Sequence, residues 1–229
     1  MYDKIFKRVE IKYLLNEEEK NKIMKELNNY IEEDEYFKST IGNIYFDTLD
    51  NDLIVTSLEK PLFKEKVRLR CYKTPNENDE VFLELKNKYK GVVGKRRIKL
   101  SLKEFYDFLE NRNYDENNQI MKEIAYHFDY YKLYPKIFIG YDRLSFRGVD
   151  DNNLRITFDS NLRSRRDNLK LEYGNNGELY FEKPHYIMEI KTLETLPLWL
   201  TKILSDLKIY PKSFSKYGSI YKKECDNKC

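Results

Sequence analysis

Long cationic side chains recur at every second position in several short segments of this 229-residue sequence. The clearest example is Lys66-Val-Arg-Leu-Arg70, in which single apolar residues separate the cations. Because strand side chains alternate between the two faces of a sheet, this spacing predicts one apolar face and one basic face. Phosphate suits such a basic face, since arginine binds phosphate oxygens bidentately and lysine neutralises them as a point charge.

The same alternation occurs in five further segments and adds carboxylates to the basic face. The predicted lining contains the cations Lys12, Lys66, Arg68, Arg70, Lys86, Lys95, Arg97, Arg143, Arg155 and Lys191 and the acids Glu10, Glu84, Asp159 and Glu189. A solvated sheet face would explain any one of these strands. Rows of arginine repel one another without an anion, however, and glutamate oxygens are ligands that Mg²⁺ and Mn²⁺ prefer. The six strands together therefore favour a closed interior that holds a phosphate chain and a divalent ion.

Eight strands are predicted to carry these faces, at residues 8–14, 42–47, 66–72, 81–86, 95–100, 136–146, 154–159 and 186–192. Four amphipathic helices are predicted, at about 17–31, from Ser101 onward, at about 116–131 and from Pro197 onward. Ser101 and Glu104 fit a capping box, and proline is favoured at the first position of a helix. The pattern predicts an α+β protein, an eight-stranded antiparallel β-barrel with the helices packed outside, as one domain over residues 1–229.

The overall composition limits which classes of binding partner and which cellular location are expected. The 42 basic and 39 acidic residues leave a net charge of only +3, which disfavours a nucleic-acid-binding surface. The three cysteines provide no readable disulfide framework. The first residues lack the apolar stretch of a signal peptide, and no apolar run approaches the roughly 20 residues that span a bilayer. We therefore expect a cytoplasmic protein without a membrane span.

Nine short motifs follow one another along the chain. They are Arg8-Val-Glu-Ile-Lys-Tyr13, Tyr45-Phe-Asp-Thr48, Lys66-Val-Arg-Leu-Arg70, Phe82-Leu-Glu-Leu-Lys86, Lys95-Arg-Arg97, Tyr141-Asp-Arg143, Leu154-Arg-Ile-Thr-Phe-Asp159, Met188-Glu-Ile-Lys191 and Phe214-Ser-Lys-Tyr217. In this order they resemble the VTC-type polyphosphate polymerase domain of the triphosphate tunnel metalloenzyme superfamily. The resemblance covers nearly the whole chain and implies an eight-stranded antiparallel tunnel that binds a nucleoside triphosphate by its phosphates.

The resemblance also implies a role for individual residues. The implied phosphate contacts are Lys12, Arg68, Arg70, Lys86, Lys95, Arg143, Arg155, Lys191 and Lys216, and Arg97 joins them through its place on the basic face. Lys216, Arg143 and Lys191 are the expected catalytic residues. Glu189 is the expected ligand of Mn²⁺ or Mg²⁺, with Glu10 and Glu84 as further candidates. The expected reaction extends inorganic phosphate or a polyphosphate chain with the terminal phosphate of ATP.

Arg8 departs from the pattern of the hydrolase and cyclase branches, which begin with Glu-x-Glu-x-Lys. It stands where their first glutamate would be, and this favours the polymerase-like branch. Two alternatives remain open at this point. One is a metal-dependent inorganic or nucleoside triphosphatase of the same fold, and the other is a protein that binds polyphosphate or nucleotides without turnover.

Overall fold

The computed structural model describes residues 8–90 and 92–227, and of Arg8 only the backbone. Nine strands lie in these ranges: β1 (Arg8–Asn16), β2 (Ile31–Asp47), β3 (Phe63–Cys71), β4 (Glu80–Tyr89), β5 (Val92–Ser101), β6 (Tyr134–Gly148), β7 (Arg155–Arg165), β8 (Glu178–Leu179) and β9 (His185–Leu193). The same ranges contain six α-helices: α1 (Glu17–Leu27), α2 (Asp52–Leu58), α3 (Leu102–Asn111), α4 (Gln119–Tyr131), α5 (Leu198–Asp206) and α6 (Lys216–Asp226).

The helix ends follow their capping residues. The capping box of α3 is confirmed, because the Ser101 side chain accepts from the Glu104 N–H and Glu104 reaches back to Ser101. The predicted first helix was too long at its end, since α1 stops at Leu27 and Ile31 already begins β2. Pro197 was predicted to be the first residue of α5, but it is the residue just before the helix, which begins one residue later, at Leu198. The sequence analysis missed α2 and α6.

The strands form one sheet in the order β1-β9-β7-β6-β2-β3-β4-β5, with β8 beside β7. The pairs β1–β9, β9–β7, β2–β3, β3–β4 and β4–β5 are antiparallel. The α+β class and the antiparallel sheet are therefore confirmed. The predicted eight-stranded barrel needs a correction, because β1 and β5 are the two ends of the hydrogen-bonded order and the ladder is not closed within the described residues.

The described residues divide into two compact units. The first unit comprises residues 8–39, 141–162 and 179–215, and the second comprises 40–90, 92–140, 163–178 and 216–227. Strands β2, β6 and β7 run through both units. The single domain over residues 1–229 and the closed tunnel stay predictions.

Each unit has an apolar core that explains the alternation along its strands. In the first unit, Met188 and Ile190 of β9 pack with Leu27 of α1 and Leu200 of α5. In the second, the apolar residues of β3 and β4 pack against α3 and α4. Because alternate residues of a strand lie on opposite faces, the charged residues between them lie on the face opposite the helices.

Candidate functional site

Two rows of polar side chains cross the strands of the second unit. Directly paired positions on β2, β3, β4 and β5 hold Tyr45, Arg68, Glu84 and Arg97. The next row on β3, β4 and β5 holds Lys66, Lys86 and Lys95. Paired residues of neighbouring strands lie on the same face of a sheet, so these rows share one surface. We name it the cation face, and its cations are Lys66, Arg68, Arg70, Lys86, Lys95 and Arg97.

Glu84 joins three of these cations. Its Oε2 accepts from the Arg68 Nε at 2.7 Å, and its Oε1 lies 2.6 Å from the Arg97 Nε and 3.0 Å from the Lys95 Nζ. The residue is only 1% exposed. Burial raises the pKa of Glu84, but the charges of the cations around it, led by Arg68, outweigh burial and hold the pKa below its usual range. Glu84 is therefore an anion that reduces the repulsion among its neighbours.

Two residues of β2 orient the arginines of β3. The Arg68 Nη1 donates to the Tyr45 hydroxyl at 3.0 Å, and the Arg70 Nε donates to the Asn43 Oδ1 at 2.8 Å. Tyr45 is buried, which opposes ionisation, but the neighbouring positive charges, led by Arg68, lower its pKa to about 8. The sequence analysis did not assign a site role to Tyr45 or Asn43. The alternation within residues 42–47 was the available signal, since it places both on one face.

Lys216 is the first residue of α6 in the second unit. The next residue, Tyr217, is buried, and its hydroxyl donates to the Asp47 Oδ2 at 3.1 Å. The ring centroids of Tyr217 and Tyr45 lie 5.0 Å apart. Since Tyr45 also contacts Arg68, the first turn of α6 is anchored beside the cation face.

In the first unit, the predicted residues of β1 and β9 form alternating charge pairs. The Lys12 Nζ lies 3.2 Å from the Glu10 Oε1 and 3.7 Å from the Glu189 Oε2. The second oxygen of Glu189 lies 2.7 Å from the Lys191 Nζ. Glu189 is buried, whereas Glu10 is exposed. The two carboxylates therefore converge on one ammonium group.

The two predicted arginines of the first unit also have acidic partners. Arg143 donates from Nε and Nη2 to the two oxygens of Asp159, at 2.6 and 2.8 Å. Burial lowers the pKa of Arg143, but the opposing effects of Tyr141 and Asp159 outweigh burial and raise it. Arg155 is exposed and lies 2.9 Å from the Asp34 Oδ2. Asp34 was not assigned by the sequence analysis, which predicted no strand at residues 31–39.

The predicted site residues thus lie in two groups. The first unit holds Glu10, Lys12, Arg143, Arg155, Glu189 and Lys191, and the second holds Arg68, Arg70, Glu84, Lys86, Lys95, Arg97 and Lys216. The Arg8 side chain lies outside the described part of the structure.

The described residues contain no group of three or more histidine, cysteine, aspartate or glutamate side chains that could hold a metal ion. Glu10 and Glu189 have the donor chemistry that suits Mn²⁺ or Mg²⁺, because carboxylate oxygens are ligands that these ions prefer. Both carboxylates also contact one cation already, the ammonium group of Lys12. Both oxygens of Glu84 contact arginine or lysine. The metal roles of all three glutamates stay predictions.

The family follows from a comparison with known domain families. The model of the VTC domain matches residues 7–224. The chain belongs to the VTC domain family. Subunit 4 of the vacuolar transporter chaperone complex of Schizosaccharomyces pombe is 27% identical over 161 residues. That match covers 60% of this chain but only 22% of the relative, so the chain spans less than a quarter of that protein's length.

Solved structures of similar fold support the architecture. A candidate adenylyl cyclase from Hippeastrum, described as having a dominant triphosphatase activity, has a TM-score of 0.55 and 16% identity. The match covers 95% of this chain and 96% of that one. A candidate adenylate cyclase from Bacillus halodurans has a TM-score of 0.54 and 16% identity, with 91% and 93% covered. At this identity the likeness shows the fold alone. Among the described residues, no helix combines the length and the apolar character needed to cross a membrane.

Proposed function

We propose that this chain is a polyphosphate polymerase that transfers the terminal phosphate of ATP to inorganic phosphate or to a growing polyphosphate chain. The observation that carries the proposal is the cation face, whose two paired rows place five cations around the carboxylate of Glu84, in a chain of the VTC domain family. In the reaction, the bond between the γ-phosphorus and the bridging oxygen breaks and ADP leaves. An oxygen of the acceptor phosphate forms the new bond to the same phosphorus.

The cation face acts by positioning and charge neutralisation. Phosphoryl transfer spreads negative charge over the three outer oxygens of the transferred group, so little covalent chemistry is required of the protein. Arg68 and Arg97 bind phosphate oxygens through their guanidinium groups, which Glu84 holds in place together with the hydroxyls of Tyr45, for Arg68, and Tyr72, for Arg97. Because these groups are fixed before the substrate binds, they lose little orientational freedom when the transition state forms.

Lys216 is the proposed catalytic lysine of the second unit. It begins a helix that Tyr217 anchors beside the cation face, and a fixed ammonium group there stabilises the charge that develops on the transferred phosphate. Arg143 and Lys191 of the first unit remain proposed catalytic residues, and Lys12 and Arg155 remain proposed phosphate contacts. Each of these four has an acidic partner that holds it in place.

A divalent ion is part of the proposal. Glu189 and Glu10 are the residues that would hold Mn²⁺ or Mg²⁺, since their carboxylates converge on Lys12. The ion would supply further neutralisation of phosphate charge. Glu84 is retained as a weaker candidate, because its oxygens already bind cations of the protein.

A triphosphatase is the second candidate. The triphosphatase activity in the description of the Hippeastrum neighbour favours it. The same cations would bind the substrate, and water would replace the phosphate acceptor. A third possibility, binding of polyphosphate without turnover, requires the same contacts and no catalytic group. Only the products separate the three.

The test is to incubate the purified chain with ATP and Mn²⁺ or Mg²⁺ and to separate the products on a gel that resolves chain length. The polymerase predicts ADP with long phosphate chains. ADP with an equal amount of orthophosphate and no chains would support the triphosphatase, and binding without ADP would support the third possibility.

Lys216→Ala tests the catalytic assignment. It should lower chain synthesis by about 100-fold, the usual effect of removing one donor that stabilises a transition state. Lys222→Ala is the matched control, since Lys222 is an exposed lysine of the same helix and should be neutral. Equal synthesis in the two variants would remove Lys216 from the proposed catalytic residues.

A further inference from the structure

Exposed apolar side chains cluster at one end of β3, β4 and β5 in the second unit. The cluster comprises Leu62, Phe63, Tyr89, Val92 and Val93, whose exposures are 69%, 45%, 55%, 74% and 50%. Phe63, Tyr89 and Val92 are directly paired across the three strands, and Leu62 adjoins Phe63 in the chain. Val93 pairs with Lys88 at the same end of the strands but on the opposite face. Single exposed apolar residues are ordinary, but a contiguous patch marks an interaction surface. We name this set the apolar tip.

Lysines surround the apolar tip. Lys64 and Lys88 are a cross-strand pair at the same end of β3 and β4, on the face opposite Phe63 and Tyr89. Lys90 lies in the turn after β4, and Lys60 lies between α2 and β3. The Lys90 N–H donates to the Leu62 carbonyl at 2.8 Å, which holds the two turns together. Burial, and then the charges of Lys88 and Lys60, lower the pKa of Lys64. The ammonium groups are therefore close enough to repel one another.

The local charge is almost entirely positive. Residues 87–95 contain three lysines and no acid, and residues 59–64 contain two lysines and one acid, Glu59. The Lys90 Nζ lies 5.4 Å from the centroid of the Tyr89 ring. An apolar centre with a tyrosine and a lysine rim has the composition of a surface that inserts at a membrane interface.

We propose that the apolar tip docks this protein onto a bilayer that contains anionic lipids. The apolar side chains enter the boundary of the acyl chains, and the four lysines contact the lipid headgroups. Charge complementarity favours a bilayer over a protein partner, because lysine is depleted in interfaces between proteins whereas anionic bilayers attract it. The proposal is independent of the polymerase reaction.

The cation face offers a second way to bind anionic vesicles, and the experiment must separate the two. Lys64 and Lys88 lie two residues from Lys66 and Lys86 on the same face of the sheet, so a purely electrostatic attraction would involve both regions. Saturating tripolyphosphate competes with lipid headgroups for the cations of both regions and leaves the apolar side chains of the tip unchanged. Insertion of the tip predicts that vesicle binding survives this competitor and depends on apolar residues.

The experiment is flotation of the full chain with vesicles of phosphatidylcholine alone and of phosphatidylcholine with phosphatidylserine, with tripolyphosphate present. The wild type should float only with the mixed vesicles. Leu62→Ser with Val92→Ser should weaken the vesicle affinity at least about tenfold, because two buried apolar contacts are lost. Leu62→Ser alone should weaken it less, and Leu49→Ser is its control, since Leu49 is 71% exposed elsewhere in the second unit.

Two further measurements make the result decisive. Lys88→Glu with Lys90→Glu should abolish flotation, and thermal melts should show that all variants fold. The proposal is overturned if the wild type does not float with the mixed vesicles, or if the double serine variant floats as the wild type does. Self-association in vesicle-free solution that Leu62→Ser removes would also overturn it, since the tip would then be a protein interface.

Discussion

The two units of this protein hold their site cations in different ways. In the first unit, the four predicted cations Lys12, Arg143, Arg155 and Lys191 contact the four carboxylates of Glu10, Asp34, Asp159 and Glu189. In the two paired rows of the cation face of the second unit, five cations, Lys66, Arg68, Lys86, Lys95 and Arg97, accompany one carboxylate, that of Glu84. The first arrangement is balanced and the second has a surplus of positive charge.

The difference indicates where an anion gains most. A phosphate chain that binds a cation of the first unit must replace the carboxylate that already contacts it. The energy gained from the new contact is then nearly cancelled by the energy lost with the old one. On the cation face it adds negative charge beside cations that share one carboxylate, because Glu84 contacts Arg68, Lys95 and Arg97. The central claim is therefore that the cation face is the principal phosphate-binding surface, and the following predictions test the contrast.

The largest expected effect is on stability when the shared carboxylate is removed. Glu84→Gln should lower the free energy of unfolding by about 3–5 kcal/mol, the cost of breaking a buried ion pair. Tripolyphosphate should restore part of the loss, because it replaces the missing charge. Glu189→Gln should cost less, since Lys12 keeps Glu10 as a partner and Lys191 is half-exposed, so water can solvate its ammonium group. Chemical denaturation at neutral pH measures the loss of stability in both variants. Glu80→Gln is the control, because Glu80 is on the same strand as Glu84 and its ion pair with Lys99 is exposed.

The same prediction has a defined pH dependence. The pKa of Glu84 is held below its usual range in the folded state, so its stabilisation is present above the unfolded value of about 4.3 and is lost as pH falls through the folded pKa. The difference between wild type and Glu84→Gln should therefore shrink below about pH 4. A difference that is equally small at neutral pH would show that the cations do not need Glu84.

The next largest effect is on metal-dependent turnover and concerns Glu189 of the first unit. Glu189→Gln should reduce metal-dependent turnover by about 100-fold and raise the Mn²⁺ concentration required, because an amide is a poor ligand of a divalent ion. Glu182→Gln, an exposed glutamate of the same unit, should leave both unchanged. Full activity of Glu189→Gln at the wild-type Mn²⁺ concentration would show that Glu189 is not the ligand.

The smallest predicted effect lies on the helix-covered face of the second unit. The His127 Nε2 lies 2.8 Å from the Glu65 Oε1, and its Nδ1 lies 2.7 Å from the Glu123 carbonyl oxygen. Both ring nitrogens therefore face acceptors, which suits the protonated imidazole. Although burial lowers the pKa of His127, these contacts outweigh burial and raise it.

This pair should stabilise the second unit at mildly acid pH. A raised folded pKa means that the stabilisation is complete below the unfolded value of about 6.5 and is lost as pH rises through the folded value. His127→Gln should cost about 1–2 kcal/mol near pH 5.5 and less near pH 9. Thermal melts at the two pH values measure this, with His185→Gln of the first unit as the control. A loss that does not change with pH would show that His127 is neutral in the folded state.

The alternation of residue types was sufficient to predict the two faces of the strands. Leu83 and Leu85 are buried in the core of the second unit, and Glu84 lies between them on the opposite face. The partners within that face could not be predicted, because they depend on strand order and register. Nothing local to Arg70 indicates Asn43, which is 27 residues earlier in the chain.

The missed helices and the missed half of β2 have local causes. Helix α2 has only seven residues, and its first N–H group, that of Asp52, donates to Thr48, whereas those of Leu53 and Ile54 donate to Asp47. None of the three donates to the side chain of Asn51, the residue before the helix. The usual capping signal is therefore displaced along the sequence. Residues 32–40 of β2 are all exposed or half-buried, so they lack the apolar alternation by which the other strands were predicted.

The most direct test of the central claim is the affinity for tripolyphosphate of two neighbouring arginine variants, measured by isothermal titration calorimetry. Arg97 lies on the cation face, whereas Arg96 is on the opposite face of the same strand and pairs with Glu123. Arg97→Ala should weaken binding by about 10- to 100-fold, the value of a hydrogen bond between charged groups, and Arg96→Ala should leave it unchanged. Equal affinities in the two variants would contradict the assignment of the cation face as the phosphate-binding surface.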